Sequence, residues 1–70
     1  MKGEDNMIRE MRKKMLKRKV KKYSNEVKRY QSLSKEYRTM GDSTTALYCD
    51  YKAAQLMYKE SVTINKLIRA

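Results

Sequence analysis

The run Tyr37-Arg38-Thr39-Met40-Gly41-Asp42-Ser43-Thr44 decides the fold of this chain. Gly41 is the one glycine inside a 70-residue sequence that has no proline and only one other glycine, Gly3. Glycine alone takes the left-handed conformation that ends a helix without penalty, so a helix stop is expected there. Asp42, Ser43 and Thr44 follow, and each can cap the first free N–H groups of a new helix. A helix stop and a helix start with almost nothing between them make two antiparallel neighbours. The expected fold is all-α: a hairpin of two long helices, pairing with a second copy into a four-helix bundle.

Working back from Gly41, apolar and tyrosine residues recur at spacings of four and three: Leu16, Val20, Tyr23, Val27, Tyr30, Leu33 or Ser34, Tyr37 and Met40. That is the seam of a helix packed lengthwise on another. Ser24-Asn25 is the one pair that could break it, which leaves three helices as the alternative, but the stripe runs through. Asp5 or Asn6 offers the first cap, with Glu10 in the opening turns, so the first helix is expected over about residues 6–40. The turn takes 41–43 and the second helix about 44–68, all in one domain.

The second helix has a polar edge of Lys52, Gln55, Lys59, Thr63 and Lys66. Between Ala46 and Tyr58 most other positions are apolar, more than the roughly 100° stripe one partner helix covers. Leu47, Tyr51, Ala54 and Tyr58 are the candidate surface for a dimer or another partner. A chain this short buries only about 60% of its unfolded surface and is marginal alone, which also argues for a second subunit. Cys49 is the only cysteine, so no disulfide can form within the chain.

The net charge of +10 is unevenly placed. Residues 1–41 hold 14 Lys and Arg against five acids, and residues 42–70 hold four against three. The densest segment carries Arg9, Arg12, Lys13, Lys14, Lys17, Arg18, Lys19, Lys21 and Lys22, opposed only by Glu10. Such a balance suits a polyanionic partner. The expected overhang of the longer first helix, residues 6–14, would project part of this charge as an arm, a geometry that zipper proteins use in DNA grooves. Arg9, Arg12, Lys13, Lys14, Lys17, Arg18, Lys21 and Lys22 are the candidate nucleic-acid ligands. With no Asn or Gln interleaved among them, phosphate contact fits better than base readout.

Met7, Ile8, Met11 and Met15 lie along one side of the same segment. They could extend a dimer seam or lie on an anionic membrane, although methionines are weak anchors beside Trp, Phe and Leu. No stretch approaches the roughly 18 apolar residues of a membrane span. The opening residues do not read as a secretory signal, and a lone thiol suits a reducing compartment, so the cytoplasm is expected.

Catalytic chemistry is not expected. The chain has no histidine, and Cys49 lies mid-helix among apolar residues as a buried, inert thiol. One thiol makes no zinc site, and no cofactor motif is present. Glu26 has Lys22 and Arg29 at helical spacings and reads as a surface ion pair. Asp50 lies near the packed face, either paired with a basic residue of the first helix or facing solvent.

Tyr37-Arg38-Thr39-Met40-Gly41-Asp42, with Ala46-Leu47, Lys52-Ala53 and Leu56, resembles one tetratricopeptide unit over residues 30–56. The resemblance implies a helix-turn-helix with small alanines at the close approach, and peptide or protein binding. Asp50 stands where that family has an aromatic, and no proline follows Leu56. The functional expectation is a small basic nucleic-acid-binding protein. The alternative is an adaptor or inhibitor that docks on an acidic protein.

Overall fold

A computed structural model describes residues 2–69, with side chains described from Asn6 to Arg69. Helix α1 runs Lys2–Thr39 and helix α2 runs Ser43–Arg69, packed antiparallel along most of their length. The molecule is a rod of 60 × 14 × 11 Å.

The turn is built as the sequence demands. Gly41 has φ +83°. Its N–H donates to the Arg38 carbonyl at 3.1 Å, and the Asp42 N–H donates to the Tyr37 carbonyl at 2.8 Å. This pair of bonds satisfies carbonyls that the end of α1 would otherwise leave open. Asp42 then caps α2: its carboxylate accepts from the Thr45 N–H at 3.1 Å and from the Thr45 hydroxyl at 2.7 Å. Those two bonds, the hydroxyl first, hold the Asp42 carboxyl below its ordinary pKa. The turn occupies 40–42, and Ser43 already belongs to α2.

The other end of α1 differs from the expectation. The helix is already running at Asp5 and Asn6, so neither marks its start. The side chain of Asp5 lies outside the described residues. Local propensity does not favour the extension, since Gly3 is a poor helix former and Asp5 and Asn6 offer competing local hydrogen bonds; the absence of proline before Asn6 permits it.

The core is thin. Val27, Ala53 and Leu56 form its centre, with Tyr23 and Tyr30 packed against it. Ala46 and Cys49 are buried nearer the turn, with Ser34 and Thr63 buried on the same inner faces. Small Ala46, Cys49 and Ala53 let the helices approach closely, and Tyr23, Tyr30 and Tyr37 are half-buried along the seam. Lettering each seven-residue repeat a to g, the seam takes a and d: Leu16, Val20, Tyr23, Val27, Tyr30, Ser34 and Tyr37 in α1. In α2 it takes Ala46, Cys49, Ala53, Leu56, Glu60, Thr63 and Leu67.

Asp50 combines both of its expected states: it pairs with Arg38 of α1, but at a flank where both side chains are about half exposed. An ion pair so exposed contributes at most about 1 kcal/mol. Glu26 is corrected. Among the described residues the ion pairs are Arg38–Asp50 and Lys13–Glu10, the latter at 3.9 Å. Glu26 is half-buried at the flank of the seam, while Lys22 and Arg29 sit on the outward side.

Candidate nucleic-acid interface

Helix α1, at 38 residues, is about 57 Å long, and α2, at 27 residues, about 40 Å. The overhang is therefore real and, at about 17 Å, slightly longer than expected, but it lies nearer the start of α1. Helix α2 reaches Arg69, and Lys66 and Arg69 share a cleft with Arg12 and Leu16 of α1. Of the eight candidate ligands, only Arg9 lies clear of α2. Arg12 lies at its end, and Lys13 to Lys22 lie alongside it. The projecting turns carry apolar side chains as well as charge: Met7, Ile8 and Met11 are all well exposed.

The geometry thus converts the expected arm into a face. Lys14, Arg18, Lys21 and Lys22 are exposed on the parts of α1 turned away from α2, and Lys17 is exposed at the flank of the seam. Lys13 is half-buried and tied to Glu10, and it belongs to the packed side.

The same outward side extends further than the first reading of the charge suggests. Lys14, Lys21, Lys28 and Lys35 recur every seven residues at position b, about 10 Å apart along the axis. All four are exposed, and so are Arg18 at position f and Lys22 and Arg29 at position c. From Lys14 to Arg29 this outward side contains no acid, because Glu26 lies at the seam flank. Lys28, Arg29 and Lys35 were missed because charge was weighed by density. The seven-residue recurrence of lysine was the signal that would have found them. Near the turn this surface meets a shallow groove of about 620 Å³ with Lys28, Lys35 and Arg38 on its wall, together with Asp50, which pairs with Arg38.

Helix α2 leaves its outward side apolar. Leu47, Tyr51 and Tyr58 are 63%, 60% and 72% exposed, and Ala54 is exposed between them. The four expected interface residues therefore share one surface, directly behind the hairpin seam. A third feature is an apolar cleft of about 380 Å³ on α1, formed by Ile8, Met11, Met15 and Leu16 and edged by Arg12 and Lys19.

Cys49 is buried and unpaired. Among the described residues no three His, Cys, Asp or Glu side chains gather as a metal site. Among them, too, no helix is long and apolar enough to cross a membrane. No protein-family model, curated protein or solved structure matches the chain. The likeness to a tetratricopeptide unit accordingly rests on the turn and alanine residues alone.

Proposed function

We propose that this is a non-catalytic nucleic-acid-binding protein that contacts phosphates through the outward face of α1. One observation carries the reading: an exposed face, free of acids from Lys14 to Arg29, with cations repeated along a straight helix. Each neutralised phosphate releases a condensed counterion, so a row of such contacts supplies affinity without base recognition. Lys14, Lys17, Arg18, Lys21 and Lys22 make the central contacts, and Lys28, Arg29 and Lys35 extend them. Arg9 and Arg12 contribute from the projecting end. A buried free thiol suits the reducing cytoplasm as the place of action.

The alternative, an adaptor on an acidic protein, draws on the exposed face of α2. Charge argues against joining the two features in one partner. The basic face and the Leu47–Tyr58 face look out from opposite sides of a two-helix rod, so one compact partner cannot cover both. The α2 face itself carries no charge to attract an acidic surface. Its occupant is better sought separately, and pairing of hairpins is the part of the proposal it supports.

Charge reversal tests the reading. Lys17→Glu with Arg18→Glu leaves the seam untouched, so helix content should be retained by circular dichroism. Affinity for a random-sequence duplex should fall at least tenfold, since two attractive contacts become repulsive. Unchanged affinity in the folded variant would remove this face from the binding site.

A further inference from the structure

Helix α2 is patterned inside out for a helix that serves only a hairpin. Its lysines, Lys52, Lys59 and Lys66, fall at position g beside the seam. From Leu47 on, its back positions, b and f, hold Leu47, Tyr51, Ala54, Tyr58, Ser61, Asn65 and Ile68, with no charge in seven residues. In a solvated helix those are the positions where charge belongs. They form a second seam with the same four-three spacing as the first, about 32 Å long. Its large members stay open to water, with Ile68 76% exposed.

We infer that a second copy of this chain seats antiparallel on that seam, with the two-fold axis at Tyr58. The register follows from the residues. Tyr58 then meets its own counterpart, Ala54 meets Ser61 of the partner subunit, Tyr51 meets Asn65 of the partner subunit, and Leu47 meets Ile68 of the partner subunit. The small Ala–Ser layers on both sides of the central pair leave room for the rings to lie flat. An Asn amide opposite each outer tyrosine offers its hydroxyl a partner. The two ends close with aliphatic pairs. A parallel pairing instead sets Tyr51 against Tyr51 and Asn65 against Asn65, so neither outer tyrosine meets an amide.

Area and charge select a second copy over another occupant. The chain exposes 5970 Å². A compact monomer of its 8.4 kDa would expose about 4,600 Å². A rod exposes more than a sphere, and of the large apolar side chains left open, Leu47, Tyr51, Tyr58 and Ile68 lie along this one seam. The excess exceeds the roughly 800 Å² per partner that a standard interface buries. A neutral seam is also matched by another neutral seam, so two strongly basic chains can meet there without opposing like charges.

The assembly is then a flat layer in the order α1, α2, α2, α1, and not a compact bundle. With helix axes about 8–10 Å apart, the two α1 axes stand roughly 24–30 Å apart. Their basic faces point in opposite directions. Such a dimer bridges two nucleic-acid segments instead of gripping one. This last step rests on the function proposed above, whereas the pairing does not.

Cysteine cross-linking of the full chain tests the pairing. The Leu47→Cys, Ile68→Cys double variant should form covalent dimers on mild oxidation, and Leu47→Cys alone should not. Cys49 is buried and adds no background. Cross-linking of the Leu47→Cys single variant, or none with the double, would overturn the antiparallel register. By sedimentation the wild type should be a dimer and Tyr58→Glu a helical monomer; a monomeric wild type at tens of micromolar would overturn the interface itself. For bridging, the dimer should capture free duplex onto a duplex-coated bead, and Tyr58→Glu should bind the bead without capturing a second duplex. A dimer that binds one duplex and captures no second overturns bridging. A dimer that binds no duplex sinks the functional reading and leaves the pairing standing.

Discussion

At Gly41 backbone conformation, not crowding, dictates the residue type. A Cβ built there meets nothing within 4 Å, yet φ is +83°. Gly41→Ala should therefore cost only the left-handed strain, about 1–2 kcal/mol. In a domain this small, each kcal/mol lowers the melting temperature by about 4–8 °C, and thermal denaturation followed by circular dichroism reads it directly. Asp42 brings pH dependence. Its carboxyl is held below its ordinary value by the Thr45 bonds. A carboxyl with a depressed folded pKa contributes stability above its unfolded pKa and loses it as pH falls through the folded value. Asp42→Asn removes the titration and keeps an acceptor for the cap. Wild type should melt higher than Asp42→Asn at neutral pH, and the gap should close as the pH drops below about 4, the unfolded carboxylate range. A gap that stays constant with pH would mean the ionised carboxylate is not what holds the cap.

Helix α1 is stabilised on one side and destabilised on the other. Its seam residues pack on α2, while Arg9–Lys13, Lys14–Arg18, Lys17–Lys21 and Arg18–Lys22 set like charges four residues apart. Each such pair costs about 0.2–0.5 kcal/mol at low salt. Before Arg12 no second helix opposes that cost. Helical content should consequently rise when salt is added, and rise further with a polyanion such as a short duplex; a flat response by circular dichroism would show that the repulsion is already relieved. The helix ends also show what could be read in advance. The Gly41 end was legible because one residue type in one conformation terminates a helix. The start at Lys2 was not, since Gly3, Asp5 and Asn6 all favour a helix end over a helix interior, and the helix runs through them. Asp50 was only half legible, because its seven-residue position places it at a flank without saying whether Arg38 reaches it.

Over the whole molecule, two faces and one seam account for most of the sequence. The seam was readable from the spacing of Val20, Tyr23, Val27 and Tyr30, and the α2 surplus from a count of apolar positions. Residues 6–14 of the basic segment were expected to project as an arm, because helix lengths alone do not fix the register in which α2 lies along α1. The extension of α2 to Arg69 draws Arg12 alongside, and the exposed repeat at Lys28 and Lys35 carries the face towards the turn. A face of this length makes a quantitative demand on binding. With about five phosphate contacts, the logarithm of affinity should fall against the logarithm of salt with a slope of about −4.5. Fluorescence anisotropy with a random-sequence duplex, titrated between low and physiological salt, measures that slope most directly. Tight binding at low salt that weakens with a slope of about −4 or steeper is the predicted result. No binding at low salt, or binding indifferent to salt, would contradict the assignment of the α1 face to phosphates.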